Sequence, residues 1–320
     1  MAVRFGPEDV GRRITVRARS LDDADRTVDI VGVLRAWTSE GATIERRDGS
    51  VVAVAADRML AGRVVAPELS ARDLQQRCAA DWTCQQEQPL GPWTLRLHPG
   101  LERDRTTSAL ALRLPDAPPD VMELLEQVRA FYAAHERPAQ VLVLAGSVVD
   151  AAVAAQGWTV TNEIDVLVAR LDQDDAAGPS SAAPSSAAPA PVGIGFSAEP
   201  PERLLRVQSE GGDPEPLRRL LATGPPARYG TARLPTGASV GSVRITRADR
   251  WAGITFMEVD PAHRRQGIGA ALLAAALESA RQDGAGHAWL QVEAANAPAQ
   301  ALYAAAGFLP HHRYRYRRPA

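Results

Sequence analysis

Val259-Asp260-Pro261-Ala262-His263-Arg264-Arg265-Gln266-Gly267-Ile268-Gly269 joins a strand-like apolar run, Ile254 to Val259, to a helical run, Ala270 to Ala280. Strand, short turn, two glycines one residue apart and then helix is an arrangement suited to phosphate. Glycine lets the backbone turn tightly and approach a ligand with no side chain in the way. The first turn of the helix offers N–H groups that lack intrahelical acceptors, together with the positive end of its dipole. Taken alone, Gly-x-Gly is a weak signal, because a polar helix cap reads the same way.

A second motif raises its weight. Leu290-Gln291-Val292-Glu293-Ala294-Ala295-Asn296 leads into Ala297-Pro298-Ala299-Gln300-Ala301-Leu302-Tyr303, and the run closes on Gly307-Phe308. The two motifs, Arg-x-x-Gly-x-Gly first, resemble those of the GNAT family of acetyl-CoA-dependent N-acetyltransferases over roughly residues 240–316. The resemblance implies acetyl-CoA as cosubstrate, no metal and an α/β (α+β) fold. It implies that the backbone of Met257 and Val259 holds the pantetheine arm as if it were another strand. The pyrophosphate would lie on N–H groups of Arg265, Gln266, Gly267, Gly269 and Ala270, with Arg264 fixing the loop and adding positive charge.

Acetyl transfer from a thioester to an amine needs a neutral amine, a donor for the oxyanion and a proton for the departing thiolate. In GNAT enzymes a tyrosine at the position of Tyr303 meets the CoA sulfur. A phenol with a pKa near ~10 stays protonated at neutral pH and can donate there. The other reading of Tyr303 is a core residue with a satisfied hydroxyl. Asn296, at a strand-to-helix junction, suits both a helix cap and a pantetheine contact. The ribosomal-protein acetyltransferase branch carries a glutamate, its presumed base, where this chain has Gln291. An amide cannot take that proton. Alternation along residues 289–295 puts Leu290, Val292 and Ala294 on one face and Trp289, Gln291 and Glu293 on the other. Glu293 is therefore the nearest substitute base and Glu258 the second, unless both are solvated charges or a water chain does the work.

Composition bounds the rest. A chain of 320 residues with 45% apolar and 23% charged residues is ordinary for soluble protein and long for one domain. All 36 basic residues are arginine, and the formal net charge is −2. No dense basic block stands out, so nucleic acid is a poor partner. Neither a membrane span nor a signal-peptide stretch is legible, so a cytoplasmic location is expected. Cys78 and Cys84 read as free thiols, and the six histidines have no metal-ligand spacing.

Residues 172–191, rich in Ala, Ser, Pro and Asp, bury too little to order and read as a linker. Residues 1–66 read as five or so short strands, with Asp48-Gly49 as the best hairpin signal, and suggest a small SH3-like β-barrel. Its expected role is scaffolding or docking. In residues 67–171 the pattern predicts a helix from Asp120 to His135, a strand from Gln140 to Leu144, a helix from Val148 to Gln156 and a strand from Glu163 to Ala169. That segment repeats the C-terminal one, with Ala-Ala-Gln-Gly-Trp ending at Trp158 answering Ala-Ala-Ala-Gly-Phe ending at Phe308. It is a decayed copy, because Asp116-Ala117-Pro118-Pro119-Asp120 stands where the phosphate loop would be and Val153 where Tyr303 falls. Two prolines remove donors, and two aspartates repel a pyrophosphate.

Tandem lobes, one degenerate and one intact at 192–320, behind an SH3-like barrel resemble an actinobacterial group of GNAT proteins. The likeness extends to Tyr314-Arg315-Tyr316-Arg317, expected as an edge strand with arginines on one face and tyrosines on the other. The resemblance implies an amine acceptor held by variable loops, here around Ser209 to Tyr229. It also implies an internal pseudo-dimer that can work as a monomer. The alternative reading is an acetyl-CoA-binding regulator with weak or no turnover.

Overall fold

Alternating apolar residues drive the N-terminal region into strands. Ile14, Val16 and Ala18 of β2 (Arg13–Arg19) point inward, between arginines and a threonine that stay at or near the surface. The computed structural model describes residues 3–20, 27–46, 50–65, 69–101, 103–115, 120–171 and 192–320. Residues 3–65 form one compact unit, and residues 69–171 with 192–320 form the other.

In the first unit β2 is joined by β1 (Val3–Arg4), β3 (Thr27–Thr38), β4 (Gly41–Glu45), β5 (Val51–Ala55) and β6 (Met59–Val64). Their order is β1-β6-β2-β3-β4-β5, around a core that includes Phe5, Ile30, Leu34, Ile44 and Val54. The pairing runs from β1 to β5 without closing, so the described residues make an open six-stranded sheet. The expected hairpin is present, with Glu45 opposite Val51 and Gly41 opposite Ala55. Its Asp48-Gly49 tip lies outside the described residues, as do the segment 116–119 and the whole linker 172–191.

The second unit is built on one sheet of eleven strands. Its first half holds α1 (Ala71–Ala80), β7 (Gln86–Leu90), β8 (Trp93–Leu97), β9 (Ala109–Leu110), α2 (Val121–Ala134), β10 (Val141–Leu144), α3 (Val148–Ala155) and β11 (Trp158–Arg170). Asp120 caps α2 and Ser147 caps α3, each accepting from the N–H three residues on. α2, β10, α3 and β11 fall where the sequence pattern predicts them, β11 starting five residues earlier. α1, β7 and β8 have no such signal.

The second half starts with β12 (Gly193–Ser197), α4 (Glu202–Gln208) and α5 (Glu215–Thr223). It continues through β13 (Ala227–Arg233), β14 (Ser239–Ala248), β15 (Trp251–Val259) and α6 (Ile268–Gln282), and ends in β16 (His287–Glu293), α7 (Ala297–Ala305) and β17 (Leu309–Pro319). Leu272, Leu273 and Ala276 of α6 pack on Val243, Ile245, Ile254, Leu290 and Val292. Full burial of the leucine, isoleucine and valine side chains stabilises by about 1.5–3 kcal/mol each.

The two halves exchange strands. The sheet order is β12-β13-β14-β15-β16-β11-β17-β10-β9-β8-β7. β11, from the first half, lies between β16 and β17, while β17, from the second, lies between β11 and β10. The C-terminal Tyr-Arg-Tyr-Arg strand is therefore interior, which corrects its expected place at an edge. Its alternation is as expected. Tyr314 and Tyr316 are fully buried on one face, while Arg313, Arg315 and Arg317 pair with Asp165, Glu163 and Asp150 on the other. These partners come from the first half, so chemistry that looked like a solvated edge is the seam of the repeat.

Cys78 and Cys84 are free thiols, and burial raises both, Cys84 to about 11. Among the described residues no cluster of His, Cys, Asp or Glu is suited to a metal, and no helix is long and apolar enough to cross a membrane.

Candidate active site

β15 and β16 run parallel and pair from Trp251 opposite His287 to Ile254 opposite Leu290, where the pairing stops although both strands continue. The cause is a bulge. Ser242 of β14 faces Glu258 and Arg244 faces Thr255, so Phe256 and Met257 together oppose Val243. Phe256 has φ +51, a conformation rare for a bulky side chain and the local mark of a bulge that bends and twists its strand. Past Ile254 one edge of β15 pairs with no strand among the described residues, and Met257 and Val259 lie on that stretch. A bulge of this kind has no signature in Thr-Phe-Met-Glu.

The edge leads into the glycine loop. Asp260 caps the turn Pro261–His263 by accepting from the Ala262 N–H at 2.9 Å. Arg264 Nε donates to the Val259 carbonyl at 3.1 Å, which ties the loop back to the strand. Arg265 has φ +65, and Gly267, the N-cap of α6, has φ +78. Alternating left- and right-handed residues turn successive N–H groups toward one concavity. The first backbone bond of α6 is Ala271 N–H to Gly267 O. From Arg265 to Ala270, which include Gln266 and Gly269, the N–H groups have no acceptor among the described residues. A Cβ at Gly269 would make only ordinary contact with Leu302, Met257 and Val259, at 3.5–3.7 Å, so packing by itself does not require glycine there.

On the other side of the opening stands α7. Asn296 caps it, its Oδ1 accepting from Ala299 N–H at 3.2 Å. Tyr303 packs between α6 and β15 with its hydroxyl 4.0 Å from Met257 Sδ and its ring edge-on to Phe308. Burial raises the Tyr303 phenol above its ordinary value, so it holds its proton at any physiological pH. The structure thus brings Met257, Tyr303 and the loop around one opening.

The carboxylates separate. Glu258 receives Arg203 Nε and Nη2 at 2.8 and 2.9 Å and the Ser242 hydroxyl at 2.9 Å. Arg203 also reaches Asp260 at 3.2 Å, so α4 is clamped to both the strand and the cap before the loop. Glu293 is exposed at the end of β16. Gln291 lies on the expected face, away from α6, with its Oε1 accepting from Trp82 Nε1 at 3.2 Å. Trp82 packs on Phe256 with ring centroids 4.9 Å apart and the rings tilted by 53°, and the Arg103 guanidinium lies over the Phe256 ring at 5.5 Å. The first half therefore walls the face of the opening opposite α6. Arg203, Ser242, Trp82 and Phe256 are the participants that sequence reasoning missed, and none sits in a motif.

Comparison with known proteins places the chain in a family. A family described as probable histone acetyltransferase Rv0428c, C-terminal, matches residues 70–317. A streptothricin acetyltransferase of Streptomyces lavendulae is 50% identical over 55 residues, 17% of this chain and 29% of that protein. The ribosomal protein bS18-alanine N-acetyltransferase of Escherichia coli K12 is 35% identical over 82 residues, 25% of this chain and 55% of that protein. The chain thus spans only between about a third and about half the length of these relatives. The solved structure of a GCN5-related N-acetyltransferase from Kribbella flavida matches with TM-score 0.54 at 20% identity, over 79% of this chain and 96% of that one, a likeness of fold. With its family match running through both halves of the eleven-stranded sheet, the chain belongs to the probable histone acetyltransferase Rv0428c C-terminal family, a GNAT-type acetyltransferase family.

Proposed function

We propose that the protein moves the acetyl group of acetyl-CoA to a primary amine. The observation that carries this is one continuous surface: the unpaired edge of β15 past Ile254, the free N–H groups from Arg265 to Ala270 at its end, and Tyr303 across the opening. Bound acetyl-CoA would supply the acetyl group as a thioester. Met257 and Val259 hold the pantetheine through backbone groups, the loop holds the pyrophosphate, and Arg264 keeps strand and loop in register. Asn296 caps the start of α7 and, in this reading, also contacts the pantetheine.

Tyr303 keeps a proton on its hydroxyl beside Met257, in position to donate to sulfur. Glu293 is the carboxylate left free to take a proton from an incoming amine, directly or through water. Glu258, engaged through both oxygens by Arg203, serves as a positioning group. Gln291 has no proton-accepting role, and its amide holds Trp82 instead. The first half serves as wall and internal partner, which suits a monomer. We read residues 3–65 as an SH3-like docking module and the whole protein as cytoplasmic.

The test couples calorimetry with thiol release. Acetyl-CoA should bind the full chain, and CoA should appear when pooled amines, amino acids and basic peptides are added. Binding with no turnover on any amine would replace the enzyme by a regulator that senses acetyl-CoA.

A further inference from the structure

The end of α1 reaches the place where β15 and β16 part. Their pairing stops at Ile254 and Leu290, and just past that point lie Phe256 on one strand and Gln291 on the other. Trp82 touches both. Its ring centroid lies 4.9 Å from that of Phe256, and its Nε1 donates to Gln291 Oε1 at 3.2 Å. One side chain from the first half therefore spans both borders of the slot in the second half.

Trp82 is itself held firmly. Its N–H bonds to Ala79 O at 3.1 Å, and its carbonyl accepts from Nη2 of Arg96, a buried residue of β8. The Arg105 guanidinium lies over its ring at 5.2 Å. The residues on either side are anchored too. The Asp81 carboxylate accepts from the Thr246 hydroxyl, and the Asp81 carbonyl accepts from Arg244 Nη1 at 3.4 Å, both partners on β14. That carboxylate also sits over Gly253 of β15, where a Cβ would stand 2.5 Å from it. The Thr83 hydroxyl donates to the Leu220 carbonyl of α5 at 3.1 Å. Asp81, Trp82 and Thr83 thus join the first half to β14, β15, β16 and α5. With the ring only 4% exposed, close packing fixes its position between the two strands.

We infer that Trp82 is a positioning residue for acetyl-CoA, a wedge that holds the ends of β15 and β16 at the separation that leaves the backbone of Met257 and Val259 open. The half that lost its own loop then sets the width of the slot in the other half. This rests on the acetyl-transfer reading for what fills the slot. The glycine loop is held separately, by the Asp260 cap and by Arg264 on Val259. Pantetheine and pyrophosphate therefore answer to different residues, which separates the wedge from a general effect on folding.

Calorimetry on the full chain compares acetyl-CoA with 3′-phospho-ADP, which keeps the pyrophosphate and lacks the pantetheine. The wild-type protein should bind acetyl-CoA more tightly. Trp82→Ala should weaken acetyl-CoA roughly 10- to 100-fold, the worth of about two backbone hydrogen bonds, and leave the nucleotide unchanged. Should that variant fail to fold, Gln291 carries the test. Gln291→Leu removes the acceptor on β16 and should weaken acetyl-CoA roughly 2- to 10-fold. Gln291→Glu keeps an oxygen for Trp82 Nε1 and should retain the affinity. Unchanged acetyl-CoA affinity in a folded Trp82→Ala, an equal loss for both ligands, or an equal loss in both Gln291 variants overturns the proposal. Wild-type protein that does not bind acetyl-CoA would instead remove the acetyl-transfer reading and, with it, this role for Trp82.

Discussion

The helix–strand unit that occurs twice in the large sheet is the same frame with two different ends. α3 starts at a Ser147 cap and α7 at an Asn296 cap. The helices close on Gly157 and Gly307, with φ +76 and +83, and each glycine is followed by a buried aromatic, Trp158 or Phe308. Even the seam repeats: Ala145 N–H bonds to Arg313 O at 2.9 Å, and Ala294 N–H bonds to Glu163 O at 2.9 Å. What differs is the site. The intact copy has a nine-residue β15 that bulges and runs into a glycine loop, whereas its counterpart β9 has two residues. Val153, fully buried, stands where Tyr303 reaches the opening. Caps and apolar faces are held by packing, and packing outlasts the few residues that a ligand needs.

The contrast breaks most sharply at the loop. Gly267→Asp puts a side chain and a negative charge among the free N–H groups, at a residue whose φ is +78. Acetyl-CoA binding should vanish in calorimetry while the circular dichroism spectrum stays native, and unchanged affinity would sink the phosphate-loop assignment. Next comes Tyr303→Phe. If the hydroxyl donates to sulfur, kcat should fall roughly a hundred- to ten-thousand-fold with acetyl-CoA affinity nearly intact, since the bond matters in the transition state. Full activity in this variant removes the tyrosine from the mechanism.

The seam gives a smaller, structural effect. Asp150 accepts from Gly146 N–H, Arg315 and Arg317 at 2.7–2.8 Å. Burial pushes its carboxyl up, but the Gly146 and Arg317 bonds and the nearby guanidinium charges outweigh that and hold it below the usual range. A carboxyl lowered by folding contributes stability above its unfolded pKa of about 3.9, and that contribution is lost as pH falls through the lower folded value. Thermal melts should therefore show a loss of Tm at and below about pH 4 that Asp150→Asn flattens. At neutral pH the same variant should be destabilised by about 3–5 kcal/mol, because it leaves buried guanidinium charge unpaired. Val153→Tyr sharpens the comparison from the other side. The added volume at a fully buried site should cost about 1–3 kcal/mol in denaturant melts. No second acetyl-CoA site should appear, because one tyrosine does not restore the loop.

Glu258 and Arg203 show where a linear reading stops. Val-Asp-Pro to Gly-Ile-Gly announces a strand, a cap and a helix start, and all three are present. Nothing in Glu258 itself distinguishes a base from an ion-pair partner, because its partner lies on α4, 55 residues earlier. Gln291 reads as a lost base, and only Trp82, 209 residues away, gives it a role. Tyr-Arg-Tyr-Arg reads equally as an edge or a seam, since two-residue alternation reports faces and not neighbours.

By itself the sequence determined what short-range physics can determine: the turn and helix start at the glycine loop before α6, the Asn296 cap, and the helix and strand order on either side of Gly157 and Gly307. These follow from φ preference, from hydrogen bonds within a few residues and from the period of apolar side chains. Tertiary structure alone decided the strand exchange, the bulge at Phe256, the Arg203 clamp and the burial of Arg244 against Asp81. Each of these depends on a partner brought close by sheet pairing from a distant part of the chain. Such pairing is chosen by the packing of whole faces, which no local window contains.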